Sequence, residues 1–401
     1  MNIAVAQSGG PTCAINASLV GVFRQALKTP QIDAVFGSKN GIEGIIKDEL
    51  VDLKRIIRTN EDMELLRQTP STVLGSCRCK LPELNSEGAD EYFSKIIGCL
   101  DKHRIEAFFY IGGNDSMDTV QKLSSYAKKI GSGIRFIGVP KTIDNDLPVT
   151  DHTPGFGSAA KYVTATVQEI IRDSSVYSID SVTIIEIMGR HAGWLTASTC
   201  VLRANDEIAP HLIYLPESGF SAERFLEDLR IERAKHKAVI VAVSEGIELE
   251  DDAMRSGTVD NFGHKYLSGV GKALEQLVRD EIGCKVRSIE LNVMQRCSSH
   301  ICSKTDIDEA ELIGSEAVKA AMAGETGVTM IFRRISDKPY VVNIETADTS
   351  LLANKEKFFP EQWITEGRNQ ISDEAIKYFL PLIQGEVNIA MRNGMPLHFK
   401  M

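Results

Sequence analysis

Ile134-Arg135-Phe136-Ile137-Gly138-Val139, running on into Pro140-Lys141-Thr142-Ile143-Asp144-Asn145-Asp146, is the stretch whose reading decides the fold. The first half is a short, mainly apolar run of the kind that forms a buried strand, and the second half is polar. The charged residues therefore fall at a strand's carboxyl end, where open α/β sheets place their ligands. In an extended segment Thr142, Asp144 and Asp146 would share one side, because side chains alternate with period two. Two carboxylates and a hydroxyl would then face one space, with Lys141 supplying a cation beside them. Such a set can take a proton from a hydroxyl while holding a metal–phosphate group. The same residues also suit an Asx-rich turn, since Asp and Asn bond their own backbone.

The strand-then-turn pattern recurs along the chain. Asn2 to Gln7 is an apolar strand that runs into Ser8-Gly9-Gly10-Pro11-Thr12, and Ile15, Leu19, Val22, Phe23 and Leu27 then recur at helical spacing. Ala34 to Gly37 is a second short strand. Val73 to Lys80, after a helical stretch near Met63 to Arg67, carries Arg78 and Lys80 in a small-residue turn suited to a phosphate or to plain exposure. Ala107 to Ile111 is a dense strand ending in Gly112-Gly113-Asn114-Asp115-Ser116, with a helix from Met117 to Lys129. The two glycine turns let backbone amides approach an anion, although a plain tight turn accounts for each equally well. Asp115 is either a helix-start residue or a carboxylate that holds magnesium or repels part of a larger nucleotide.

The second half repeats the pattern. A helix opened by Pro154-Gly155-Phe156-Gly157 leads to the strand Val182 to Ile187, which ends in Met188-Gly189-Arg190-His191; Ala238 to Val243 ends in Ser244-Glu245-Gly246. Arg190 and His191 could hold an anion, and Glu245 a sugar hydroxyl. Tyr266 to Arg279 reads as helix, and Arg287 to Arg296 as a strand flanked by arginines suited to bidentate phosphate binding. A helix from Asp306 to Ala323 and a strand from Gly327 to Phe332 follow. The tail after about Tyr340 reads as a short strand, a charged loop around Lys355-Glu356-Lys357 and a helix from Ser372 to Phe379. Alternating strands and helices mean an α/β chain with parallel sheets, and candidates from both halves place the site in a cleft between two domains.

Composition narrows the partners. A formal net charge of −10 argues against nucleic acid or anionic membrane, which need a basic face, but allows a small anion held by local cations. The sequence shows neither a membrane span nor a signal peptide, so a cytoplasmic protein is expected. The eight cysteines show no zinc spacing and read as reduced thiols. The glycine turns match neither the dinucleotide fingerprint nor the P-loop, which argues against a nicotinamide oxidoreductase.

Taken in order, Ser8 to Thr12, Gly112 to Ser116, Pro140 to Asp146, Met188 to His191, Ser244 to Gly246 and Gln295-Arg296 resemble the 6-phosphofructokinase family over roughly residues 1 to 335. Asp115 and Lys141 look like its pyrophosphate-dependent branch, since ATP users in the family have glycine at both places. A carboxylate at 115 would occupy the place and charge of a nucleotide α-phosphate. The resemblance implies two doubly wound, Rossmann-like parallel-sheet domains with the active site between them. A phosphoryl-donor domain would span 1–150 with about 297–335, a sugar-phosphate domain 151–296, and an extension acting as cover or interface 336–401. It implies Asp144 as general base toward a sugar hydroxyl, Lys141 as stabiliser of the transferred group, and Gly10 and Arg78 as diphosphate contacts. Asp146, with Asn114, would hold magnesium. Thr142, Met188, Gly189, Arg190, Glu245, Arg287 and Arg296 would hold fructose 6-phosphate. Arginines of this group reach a neighbouring subunit's site in the family, which implies a homodimer or homotetramer.

The chain departs from the family pattern at three places. Asn114 stands where an acidic residue is usual, so its amide oxygen brings no charge to a metal. Ser181 and Val293 stand where ATP-dependent bacterial members have an arginine and a histidine, which leaves more of the phosphate to Arg287 and Arg296. An ATP-dependent kinase and a catalytically silent sugar-phosphate-binding subunit remain the alternatives.

Overall fold

The computed structural model describes residues 1–249 and 269–401. The strands are β1 (Asn2–Gln7), β2 (Ala34–Ser38), β3 (Leu50–Asp52), β4 (Ile105–Gly112), β5 (Arg135–Pro140), β6 (Ser181–Ile187), β7 (Leu212–Tyr214), β8 (Ala238–Ser244), β9 (Lys285–Glu290), β10 (Val328–Asp337) and β11 (Tyr340–Asp348). In β1, β4 and β5 almost every side chain is buried, because helices cover both faces of the sheet.

Two sheets form. The first has seven strands in the order β3-β2-β1-β4-β5-β10-β11, and the second has four in the order β7-β8-β6-β9. In the first sheet the chain leaves β1 towards β2 on one side and finds β4 on the other. That reversal opens a crevice at the carboxyl ends of β1 and β4, the position where doubly wound sheets bind their ligands. The first sheet is parallel in its centre, but β3 and β11 run antiparallel at its two edges. β11 lies within the stretch read from sequence as an extension, and a tight turn after β10 returns it along that strand.

Two helices tie the first sheet together by close approach. Ile15–Lys28 packs on Lys304–Met322, and a Cβ on Gly21 would come within 1.9 Å of the Glu311 carbonyl oxygen while one on Gly314 would come within 2.1 Å of the Ser18 oxygen. Only residues without side chains let these backbones touch. The same Lys304–Met322 helix reaches the second sheet's covering helix, Phe156–Ser174: Asp306 accepts from the Gly155 amide at 2.8 Å and the Ser158 amide at 3.1 Å. The carboxylate thus caps that helix's N-terminus from a neighbouring element.

One sequence expectation is corrected here. Arg287 to Arg296 is not a single strand: β9 ends at Glu290, and Asn292–Arg296 is a 3₁₀ turn. Leaving the strand early turns Gln295 inward, where its Oε1 accepts from the Met188 amide at 3.1 Å. The helix read from Tyr266 is observed from Val270 to Glu281, and its first residues lie outside the described part.

His152 is a buried charge centre between the segment that follows β5 and the helix Lys304–Met322. Its ring nitrogens bond Asp151 at 2.9 Å and Glu309 at 2.8 Å, and the ring stacks on Phe332. Burial opposes the imidazolium, but Glu309 and Asp151 outweigh it and raise His152 to about 9. A group raised in the fold stabilises it fully below its unfolded value near 6.5 and loses that contribution as pH rises through about 9. Thermal unfolding followed from pH 6.5 to 9.5 is therefore expected to show Tm falling, with the fall largely removed in His152→Gln. An equal fall in both proteins would rule the histidine out as its source.

Candidate active site

A cavity of about 760 Å³ lies between the carboxyl ends of the two sheets. Three turns of the first sheet form one wall. Ser8-Gly9-Gly10-Pro11-Thr12 leaves β1, Gly113-Asn114-Asp115-Ser116 follows β4, and Lys141 to Asp146 follows β5. They are side by side because their strands are: the Ser8 amide bonds the Ile111 oxygen at 2.9 Å, and the Lys141 amide bonds the Gly112 oxygen at 2.9 Å. Arg78 also lines this wall, from the loop that passes over the Ser8–Gly9 turn.

Lys141 is buried beneath the glycine turns, and its Nζ donates to the Gly10 oxygen at 2.7 Å. Burial lowers its ammonium to about 8, although Asp144 and Asp146 pull the other way. Asp115 is exposed at the cavity's mouth, in the first turn of the helix Asn114–Ile130.

Thr142, Asp144 and Asp146 do face one space, but not through an extended strand. The backbone bends after Lys141, and Asn145 adopts a left-handed φ of 55°. That conformation is one Asn tolerates. The bend puts the Thr142 hydroxyl 3.3 Å from Asp144 Oδ2, while the Asp144 amide donates back to Thr142 Oγ1 at 3.1 Å. The turn reading holds, and the turn is what aims the carboxylates toward the cavity. Both carboxylates are set deep among protein atoms yet keep part of their surface open to the cavity. Burial pushes Asp144 above the ordinary carboxylate range against the pull of Arg190. Burial, then the Asp144 charge, pushes Asp146 to about 7.

The opposite wall comes from the second sheet. Met188, Arg190 and His191 follow β6, Glu245 follows β8, and Gln295 and Arg296 come from the 3₁₀ turn after β9. Gly189, at φ 139°, stands behind this wall; its amide donates to Glu245 Oε1 at 3.4 Å and its oxygen accepts from Ser244 Oγ at 2.7 Å. A Cβ on Gly246 would lie 1.7 Å from the Arg190 oxygen, so the β6 and β8 turns can pack only with glycine there. Burial and the nearby Asp144 charge raise Glu245 to about 7. Arg296 crosses to the first wall, where a Cβ on Gly10 would meet its Nη1 at 3.5 Å.

Arg287 is not brought into this cavity. It sits on the edge strand β9 and bonds Asp173 at 2.9 Å, Ser174 and Thr183. Ser181 starts β6, at the strand end away from the cavity, whereas Val293 lines it.

The structure adds residues that the sequence reading left in a charged loop. The segment 354–359 crosses the cleft as a strap. Asn354 bonds Asp118 at 2.9 Å, and Asn114 Nδ2 donates to the Lys355 oxygen at 2.7 Å. Glu356 pairs with His191 Nδ1 at 2.9 Å, and the Lys357 amide donates to the Asp146 oxygen at 2.6 Å. Lys357 Nζ holds the back of the turn after β5 through Asn145 Oδ1 at 3.2 Å and the Asp151 oxygen at 2.9 Å. Trp194 Nε1 donates to the Lys357 oxygen, and Phe359 packs edge-on against Trp194. A charged triplet flanked by apolar residues was the available signal, since Leu352 and Ala353 on one side and Phe359 on the other are buried and pin the loop down.

Comparisons with known proteins agree on this architecture. The family model described as Phosphofructokinase matches residues 2–321. A protein of Xanthomonas campestris pv. campestris named pyrophosphate–fructose 6-phosphate 1-phosphotransferase is 39% identical over 100% of this chain and 96% of its own. One of the same name from Halomonas elongata is 37% identical over 98% of this chain and 94% of its own. The crystal structure of a pyrophosphate-dependent phosphofructokinase from Marinobacter aquaeolei superimposes with a TM-score of 0.88 at 37% identity, covering 100% of this chain and 95% of that one.

Proposed function

The chain belongs to the phosphofructokinase family, and we propose that it reversibly transfers a phosphoryl group from pyrophosphate to fructose 6-phosphate, giving fructose 1,6-bisphosphate and phosphate. The observation that carries the choice of donor is Lys141. Its buried ammonium lies against the Gly10 carbonyl, filling the floor between the glycine turns with charge rather than leaving it open. The exposed carboxylate of Asp115 at the mouth repels the further phosphate of a nucleotide.

Each proposed role follows from position. Asp144, oriented by the Thr142 hydroxyl, takes the proton of the sugar's 1-hydroxyl as that oxygen attacks. Lys141 faces the charge that develops on the transferred group, Gly10 and Arg78 contact the diphosphate, and Arg296 spans both substrates. Met188, Gly189, Arg190 and Glu245 shape the sugar side. Phosphoryl transfer needs positioning and charge neutralisation more than covalent help, and this cavity supplies both.

The donor set suits magnesium. Asn114 Oδ1 is shielded from solvent and accepts no hydrogen bond, although its Nδ2 is satisfied by Lys355. A shielded oxygen without a donor is costly unless a ligand completes it. Together with the Asp146 carboxylate it fits a hard cation that keeps several of its waters. When bound, magnesium would neutralise diphosphate oxygens.

Arg287 points to assembly. An arginine on the sheet's edge strand, outside its own cavity and half-exposed, is placed to serve the sugar phosphate of a neighbouring copy, as in a dimer or tetramer. The segment beyond β11 acts as a cover through its strap. Among the described residues no helix is long and apolar enough to cross a membrane, and we place the enzyme in the cytoplasm.

A paired donor assay tests the reading. With magnesium and fructose 6-phosphate, the purified protein is expected to show kcat/KM for pyrophosphate at least about 10³-fold above that for ATP, and to release pyrophosphate when run in reverse. Comparable rates with ATP would return the chain to the ATP-dependent branch, and sugar binding without turnover with either donor would make it a silent subunit.

A further inference from the structure

The family's usual acidic residue is missing at Asn114, yet the strap that Asn114 holds brings a carboxylate to the same place. Glu356 lies between two residues that are each pinned to the metal side of the cavity. Lys355 is tied through its oxygen to Asn114 Nδ2 at 2.7 Å, and Lys357 through its amide to the Asp146 oxygen at 2.6 Å. Glu356 itself lines the cavity with Asn114 and Asp146, and its charge is felt at Asp146. The bond to Lys355 also decides which way the Asn114 amide faces. A carbonyl can only accept, so Nδ2 must point at it, which leaves Oδ1 shielded and without a donor in a residue that lines the cavity. An acidic side chain that lines the same cavity as another carboxylate and an unpartnered amide oxygen is an arrangement suited to a cation.

We infer that Glu356, supplied by the C-terminal segment, is a metal-site residue that replaces the charge lost at Asn114 and holds the divalent cation's coordination shell together with Asp146. His191 Nδ1 lies against both carboxylate oxygens, 2.9 Å from Oε1 and 3.1 Å from Oε2, and so fixes its orientation. A carboxylate offers about four lone-pair sites, so the rest of Glu356 is available to the ion or its waters. The strap is then more than a cover: it carries part of the donor site, and the two positions form a compensating pair, neutral in the turn and acidic in the strap. The inference rests on the pyrophosphate reading above.

The test measures Mn²⁺ binding by electron paramagnetic resonance, in the presence of the non-hydrolysable donor analogue imidodiphosphate, with Tm recorded for every protein. Glu356→Gln keeps the shape and a hydrogen bond to His191 but loses the charge, and is expected to weaken Mn²⁺ binding by about tenfold or more. Glu356→Asp keeps the charge and is expected to stay within about threefold of wild type. Adding Asn114→Asp to Glu356→Gln is expected to recover most of the lost affinity, because the charge returns from the turn. A folded Gln variant that binds Mn²⁺ within twofold of wild type, on the order of the measurement's error, would overturn the inference. So would an Asp variant that loses binding as fully as the Gln variant, which would assign the effect to packing of the strap. In either case pyrophosphate turnover by wild type leaves the functional reading standing. Wild type that neither binds imidodiphosphate nor turns over pyrophosphate would overturn both.

Discussion

Replacing Asp144 with Ala is expected to lower kcat with pyrophosphate by about 10³-fold while KM for fructose 6-phosphate moves by no more than about threefold. The physical reason is that, as the proposed base, this carboxylate would have a task that matters only as the reaction proceeds. It sits where the turn after β5 aims it into the cavity, with the Thr142 hydroxyl on Oδ2 and its own amide on Thr142 Oγ1. Proton transfer from the sugar hydroxyl occurs in the transition state, so losing the acceptor removes stabilisation there and leaves ground-state binding to Arg190, Arg296 and Glu245. Asp144→Asn preserves the turn and the Thr142 contact but cannot accept the proton as a carboxylate does, and is expected to match the Ala variant. The reverse reaction, in which the same group returns the proton, is expected to fall by the same factor. A variant at either substitution that keeps kcat within about tenfold of wild type would remove Asp144 as the base.

The second large effect concerns the donor. Lys141→Gly alone is expected to lower pyrophosphate turnover by about 10²- to 10³-fold, the scale for losing one preorganised charge at the reacting group. Combined with Asp115→Gly, it is expected to raise the ratio of kcat/KM for ATP over pyrophosphate by about 10³-fold or more. Lys141 is buried with Nζ at 2.7 Å from the Gly10 oxygen, and a Cβ on Gly9 would already meet that Nζ at 3.2 Å. The Gly9–Gly10 turn therefore closes down on this one ammonium. Removing it frees the floor of the cavity, and removing the exposed Asp115 carboxylate frees its mouth from like-charge repulsion. The two changes act on different parts of a nucleotide, so neither alone is expected to produce the full shift. If ATP use in the double variant stays within about threefold of wild type, exclusion is set elsewhere, with the strap next to be tested.

The contrast between Asp144 and Glu356 shows where sequence reading reaches and where it stops. Asp144, Asp146 and Lys141 follow directly on an apolar strand, and local order alone puts them at a sheet's carboxyl end. Glu245, Arg190 and the glycine turns are legible for the same reason. Arg296 was named correctly as a cavity residue, though its backbone was misread, because Leu291 to Gln295 has the composition of a strand while the 3₁₀ turn is set by the Gln295–Met188 contact. Glu356 and Lys357 carried only the signal of a charged triplet between apolar residues, which does not say what the loop reaches. They come within reach of Asp146 only because aromatic packing of the tail against Trp194 brings a loop some two hundred residues away across the cleft.

The amino-acid sequence by itself determined the class of fold and the strand ends that line the cavity, since each depends on periodicity or on residues adjacent in the chain; the pair at 115 and 141 was singled out by resemblance to a family. Tertiary structure alone decided that the carboxylates after β5 are aimed by a turn with a left-handed residue, that Arg287 lies outside the cavity, and that a loop of the tail reaches across to the first wall. Those outcomes depend on contacts between segments far apart in the chain, and the energy that selects among such contacts comes from packing and burial that no local pattern encodes.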